Sequence, residues 1–211
     1  ELGNIKYLDS TRINLGLFQS DINVLWDLAP HDISILNYIV EERPYSVNAT
    51  GITHTNNNIE NIAYLTVNYP SGFIAHFNCS WTSPVKLRMM LIGGDQKMIL
   101  YNDLEPTEKV KVYDTGYSYS NDEEKKQVLV DYRTGDIHVP KLATTEALLG
   151  MANDFIACIQ EKKQPVSSCH LGLDVVRILE ASNNSIKHCG REVVLQDTSV
   201  PAIHNGHEIL I

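Results

Sequence analysis

Asp27 and His31 stand four residues apart in the stretch VLWDLAPHDISILNYIV, residues 24–40. On a helix that spacing brings both side chains to one face, so a carboxylate and an imidazole can act on the same substrate hydroxyl. Imidazole has the unperturbed pKa nearest neutrality, and a neighbouring carboxylate both orients it and favours its protonated form, which suits the pair to proton transfer. A plainer account uses the same residues: Asp27 as an N-cap, Pro30 in the first turn, and His31 as a partly buried histidine with a satisfied ring. Spacing alone leaves both accounts open.

The pair needs a helix to hold it and a sheet to carry that helix. Residues 4–17 read as a strand, because Ile5, Tyr7 and Asp9 alternate with Lys6, Leu8 and Ser10, and Ile13 and Leu15 continue the extended pattern. The helix follows: Leu28, Ile35, Leu36 and Ile39 recur at helical spacing, and Glu41-Glu42-Arg43-Pro44 closes it, since proline disfavours a helical residue before it. From Tyr45 to about Tyr132 come short runs rich in β-branched and aromatic residues: 45–53, 59–69, 73–81, 86–92, 97–101, 109–113 and 127–132. Pro70-Ser71-Gly72 and Gly93-Gly94-Asp95 read as turns, and strands joined so tightly are expected to pair mostly antiparallel.

Two helices close the pattern, 145–162 with the stripe Leu148, Met151, Phe155 and Ile159, and 171–188 with Val175, Val176, Leu179, Ser182 and Ile186. Each stripe needs an apolar partner. The expected class is α+β: one domain over residues 1–211, a large, mostly antiparallel (mixed) sheet with helices packed on one face and the other face available for oligomerisation.

Composition narrows the partners. With 17 basic and 26 acidic residues the net charge is −9, and no Lys/Arg-rich stripe interleaves with aromatics, which argues against nucleic acid. No apolar run nears the roughly 18 residues that span a bilayer, and the start lacks the layout of a secretory signal, so a soluble protein with no membrane partner is expected. Cys79, Cys158, Cys169 and Cys189 form no CxxC pair, which fits reduced thiols in a cytoplasm. The chain opens on Glu1 with an apolar pattern starting at Ile5, and reads as a piece of a longer polypeptide.

Other polar residues invite a role. Arg12 and Asn14, two apart on one face of the first strand, can present donors to a hydroxylated or anionic substrate, or lie exposed on a sheet edge. Lys86 lies with Trp81 and Arg88 around a turn between strands, where a tryptophan can stack on a sugar ring or simply pack in the core. His204-x-x-His207 lacks further ligands, and Cys169-His170 is separated from His188-Cys189 by a helix of roughly 27 Å, so no metal is expected. The sequence has no G-x-G-x-x-G, no phosphate-cradling loop before Lys-Ser/Thr, and no G-x-S-x-G. A nucleotide has to be held elsewhere.

Taken together, IKYLDSTRINLG, WDLAPHDISIL, FNCSWTSPVKLRMMLIGGDQKMILYND, ANDFIACI and GLDVVRILEASNNSI resemble the second domain of the Gfo/Idh/MocA oxidoreductases, most of all members acting on nucleotide sugars. The resemblance implies that His31 is the proton-transfer histidine and Asp27 the carboxylate beside it, with Arg12, Asn14 and Lys86 as substrate contacts. It implies NAD or NADP as cofactor, bound mainly by an N-terminal Rossmann domain. This chain carries neither that domain's fingerprint nor the family's Glu-Lys-Pro triplet. The function it implies is the substrate-binding, partly catalytic half of an NAD(P)-dependent dehydrogenase. Such an enzyme oxidises a hydroxyl of a sugar or nucleotide sugar, as a homodimer or homotetramer formed through the open sheet face. Two relatives of that reading are a non-catalytic partner module and a glycoside-cleaving enzyme that uses NAD transiently.

Overall fold

The computed structural model describes residues 2–118, 131–143 and 146–195. Three helices occur among them: α1 (Val24–Ile39), α2 (Ala147–Glu161) and α3 (Cys169–Lys187). The strands are β1 (Ile5–Leu15), β2 (Ser46–Ile52), β3 (Ile62–Asn68), β4 (Ile74–Ser80), β5 (Thr82–Gly94), β6 (Met98–Asn102) and β7 (Val110–Tyr113). They continue with β8 (Gly116–Ser118), β9 (Asp131–Arg133), β10 (Ile137–His138) and β11 (Val193–Val194). Nine of these strands form one sheet in the order β10-β7-β6-β5-β1-β4-β3-β2-β11, while β8 and β9 pair separately. The α+β class with a large mixed sheet is as the sequence predicts. His204 and His207 lie outside the described residues, as do residues 127–130 of the last expected strand.

One pairing departs from the antiparallel expectation. β4 and β5 are separated in sequence by Trp81 alone, yet β1 lies between them, parallel to β4 (Arg12 opposite Cys79) and antiparallel to β5 (Arg12 opposite Arg88). The chain leaves β4, crosses the end of β1 at Trp81 and returns as β5; the Trp81 carbonyl accepts the Gly16 N–H at 3.0 Å at that crossing. Gly16 allows the approach, since a Cβ there would lie 3.1 Å from the indole Cδ1 of Trp81. Gly93 and Gly94, read from sequence as a turn, instead end β5. A side chain at Gly93 would run into the ring of Tyr7.

Alternation sorts the residues of β1 into two faces. Leu8, Ser10 and Arg12 are buried, and with Ala75, Phe77 and Cys79 of β4 and Ala63, Leu65 and Val67 of β3 they form the floor under the helices. Tyr7, Asp9 and Thr11 face the other way, beside His76 and Leu91, on a face that no helix covers among the described residues. α1 lies over β1, β3 and β4, and α3 lies over β2 and against α1. Leu25, Ala29, Ile33 and Leu36 of α1 are fully buried, and each of the larger three contributes on the order of 1.5–3 kcal/mol.

In α3 the buried stripe is Val175, Ile178, Leu179, Ser182 and Ser185. Val176, placed in that stripe from sequence, is exposed. The two serines let the helix approach the sheet: Ser185 Oγ accepts the Ala49 N–H of β2 at 2.8 Å and donates to the Arg191 carbonyl at 2.6 Å. α2 differs from both other helices, because none of its residues is buried.

Candidate active site

Helix α1 begins at Asn23, not at Asp27. Asn23 has extended backbone, and its side chain accepts the Trp26 N–H at 3.3 Å, the bond expected of an N-cap. Asp27 therefore sits a turn inside the helix. Pro30 is its seventh residue and not a first-turn residue, leaving the Trp26 carbonyl without its usual donor four residues on. The N-cap account of Asp27 is set aside by this geometry.

The Asp27 carboxylate is half-buried, and its Oδ2 accepts the indole N–H of Trp81 at 2.7 Å. Trp81 is itself buried, and Phe18 stacks on it with ring centroids 5.7 Å apart. His31 is exposed, and among the described residues its ring has no hydrogen-bond partner. One face of α1 thus carries a fixed carboxylate and, one turn on, an imidazole open to a visiting group.

Beneath them lies a group that the sequence reading passed over. Asp32 follows His31 on the buried side of α1, and its Oδ2 accepts Arg12 Nε at 2.9 Å and Ser10 Oγ at 2.9 Å, while its Oδ1 accepts Arg12 Nη2 at 2.5 Å. Asp32 is 4% exposed and Arg12 9%, so this bidentate pair is an interior tie between helix and sheet. The signal was present: a carboxylate among Leu25, Ala29, Ile33 and Leu36 requires a partner, and Arg12 is the cation on the facing strand. Burial works against the Arg12 charge, but the Asp32 bond and charge outweigh it and raise the guanidinium above its ordinary pKa. Two of its nitrogens are engaged, whereas Nη1 has no partner among the described residues. Burial first, and then Asp32, pushes the neighbouring Cys79 thiol well up, against the pull of Arg12, which leaves it a packing residue.

Asn14 and Lys86 lie where the β1–β5 pairing shifts register, between the pairs Ile13–Leu87 and Leu15–Thr82. Asn14 is half-buried and Lys86 exposed. Arg88 and Lys109 lie 3.4 and 3.8 Å from the Asp103 carboxylate, which also accepts the Tyr101 hydroxyl at 2.9 Å. Arg12 is thus paired with Asp32, and Arg88 and Lys109 share Asp103. Among the described residues no three His, Cys, Asp or Glu side chains converge as a metal site, and no helix is long and apolar enough to cross a membrane.

Residues 18–99 match the family model of the GFO/IDH/MocA C-terminal domain, and this stretch holds Asp27, His31, Asp32, Trp81 and Lys86. The resemblance read from the sequence is borne out. The fold is also that of UDP-N-acetylglucosamine 3-dehydrogenase from Acidithiobacillus ferrooxidans, with 20% identity and TM-score 0.64 over 88% of this chain and 54% of that one. Aldose-aldose oxidoreductase from Caulobacter crescentus matches at 15% identity and TM-score 0.70, over 92% and 56% of the respective chains. Levoglucosan dehydrogenase in complex with NADH matches at 15% and 0.70, over 92% and 59%. At such identities the likeness concerns the fold, and the chain spans little more than half of each. No curated protein matches the sequence.

Proposed function

We infer that this chain is the substrate-binding and partly catalytic half of an NAD(P)-dependent dehydrogenase that oxidises a hydroxyl of a sugar, with nucleotide sugars as the favoured class. The observation that carries the reading is the α1 face, where Asp27 is fixed by Trp81 and His31 is left unengaged and exposed. His31 takes the hydroxyl proton at a ring nitrogen as the C–H bond on the same carbon breaks, and Asp27 supplies the negative charge that favours the resulting imidazolium. Asn14 and Lys86 hold the substrate's hydroxyls or phosphates, and Arg12 offers its remaining Nη1 edge from below. When bound, the nicotinamide supplies the hydride acceptor. The chain's lack of a G-x-G-x-x-G assigns the dinucleotide mainly to another domain of the same enzyme.

The nucleotide-sugar class is supported by Lys86, an exposed ammonium with no partner among the described residues, and by the fold shared with a UDP-sugar 3-dehydrogenase. The uncovered sheet face, with Tyr64, Ile74 and Leu91 exposed on it, suits a homodimer or homotetramer. The deciding experiment is His31→Asn in the full-length enzyme. Turnover of added NAD(P) with a nucleotide sugar is expected to fall by about two to four orders of magnitude, with a smaller loss of cofactor binding. Turnover at the wild-type rate overturns the assignment.

A further inference from the structure

The Asp27 carboxylate has a single hydrogen-bond partner among the described residues, the indole N–H of Trp81 at 2.7 Å. A group held by one bond points where its donor lets it, so the aim of this carboxylate is set by whatever fixes the indole. The backbone of Trp81 is fixed twice: its N–H donates to the Asn61 carbonyl and its carbonyl accepts the Gly16 N–H, each at 3.0 Å. Neither bond fixes the side-chain torsions of the tryptophan, which packing has to select.

Part of that packing comes from the connection between β1 and α1. Gly16 lies against the edge of the ring, since a Cβ there would be 3.1 Å from Cδ1, the carbon bonded to the donor nitrogen. Phe18 lies over the face of the ring, with 5.7 Å between centroids and 27° between planes, an offset stack. Phe18 does not belong to the core. It is 41% exposed and its neighbour Leu17 87%, whereas Trp81 beneath is 1% exposed. A side chain left so far in water contributes little to the interior, yet it covers the one ring that carries the bond to Asp27. A hydrogen bond to a charged group is stronger where water is kept away, and the phenyl ring does this for the indole. Without it, water competes for the donor and the carboxylate, and the indole gains the freedom to turn.

We propose that Phe18 is a positioning residue for Asp27: through its stack on Trp81 it holds the indole N–H on the carboxylate, and so keeps that charge in place for the imidazolium formed at His31. The catalytic consequence rests on the dehydrogenase reading, while the hold on the indole has a readout of its own. The test uses the full-length protein, with NMR of the indole N–H and turnover of NAD(P) with a nucleotide sugar. The Trp81 indole signal, identified by its loss in Trp81→Phe, is expected to exchange with deuterium about tenfold faster or more in Phe18→Ala than in the wild type, with amide exchange in β1, β3 and β4 unchanged. In the same variant kcat is expected to fall about tenfold while KM stays within about threefold, and Phe18→Tyr is expected to restore both kcat and slow exchange. In an Asp27→Asn background Phe18→Ala is expected to lower kcat no further, because Asp27 is the group it acts through.

Equal indole exchange in the wild type and Phe18→Ala overturns the proposal, as does a loss of kcat that adds to that of Asp27→Asn. A raised KM at unchanged kcat also overturns it and makes Phe18 a substrate contact. Phe18→Leu, which keeps apolar bulk without the flat face, repeats the test with a smaller change of volume; loss of amide protection throughout β1, β3 and β4 in both variants makes the ring a part of the fold and overturns the proposal too. A wild-type protein that turns over no nucleotide sugar with either dinucleotide, yet shows the expected indole exchange, refutes the dehydrogenase reading and leaves the stack as the support of Asp27. Turnover in the wild type with equal indole exchange in the variant strikes only the role of Phe18.

Discussion

The indole N–H of Trp81 donates to Asp27 at 2.7 Å, so the single residue that carries the chain across the end of β1 also fixes the carboxylate on α1. The carboxylate beside His31 is thereby held from the sheet and not by the histidine, which keeps the imidazole free. Trp81→Phe removes this bond and leaves a half-buried carboxylate without its donor. The expected cost is about 1–3 kcal/mol, read as a lower denaturant midpoint at unchanged slope. Asp27→Asn keeps an acceptor for the indole and should cost much less stability, yet it removes the charge beside His31 and should lower turnover of the full-length enzyme. Equal stability losses in the two variants would show that the charge on Asp27, and not its capacity to accept a hydrogen bond, carries the tie to Trp81.

The Arg12–Asp32 pair, with Ser10 as third member, is the second tie between α1 and β1. Removing one partner leaves the other charged and buried, at a cost of about 3–5 kcal/mol, whereas replacing both by apolar residues of similar size avoids that cost. Asp32→Leu alone is therefore expected to unfold the domain at markedly lower denaturant concentration. Arg12→Met/Asp32→Leu should recover most of the loss. A double-mutant cycle checks this, and additive effects of the two substitutions would mean that the pair is not coupled in solution.

The sheet and α1 were legible because they obey local periodicities. Alternation along β1 and β4 and the run Leu28, Ile35, Leu36, Ile39 follow from which side of each element is buried. What escaped was non-local. Nothing near Trp81 announces that β4 and β5 flank β1 instead of pairing, because two extended runs, 73–81 and 86–92, joined by four residues read as a hairpin. The N-cap at Asn23 was hidden by Asp27 and Pro30, which imitate a later start, although Val24 and Leu25 already lie on the buried stripe. Asp27 and His31 stand out by their spacing, whereas Asp32 does not, because its partner is 20 residues away on another element. The sequence calls for an apolar partner to the stripe on α2, and no described part of the chain supplies one.

Asn14 is half-buried and Lys86 exposed, and neither side chain has a hydrogen-bond or ion-pair partner among the described residues, which separates binding from folding in their variants. On the proposed dehydrogenase reading, Asn14→Ala and Lys86→Ala are each expected to raise the KM of the full-length protein for a sugar substrate while leaving kcat within a few-fold. The Lys86 effect should be the larger for a substrate with phosphates than for the free sugar, since a flexible ammonium contributes chiefly charge. A fall in kcat at constant KM would move these residues from binding to chemistry, and no change in either would remove them from the site.

Tyr101 and Asp103 make stability depend on pH at both ends of the scale. Burial first, then the bond to Asp103 and its charge, pushes the Tyr101 phenol up to about 12, against about 10 in the unfolded chain. The folded protein thus keeps a proton that the unfolded chain releases; this stability is complete below about pH 10 and lost as pH rises through about 12. For Asp103, burial alone acts upward, but the Tyr101 hydroxyl, Lys109, Arg88 and Arg12 outweigh it and hold the carboxyl below its usual range. Its contribution is present above about pH 4 and disappears as pH falls through the lowered value. Asp103→Asn keeps an acceptor for Tyr101 but carries no charge, so the decline of stability in acid should become shallower. Tyr101 should also ionise closer to pH 10 in a difference titration of phenolate absorbance against Tyr101→Phe. If that difference titration is the same with Asp and with Asn at position 103, the carboxylate is not what holds the phenol neutral, and desolvation by the neighbouring strands accounts for the whole shift.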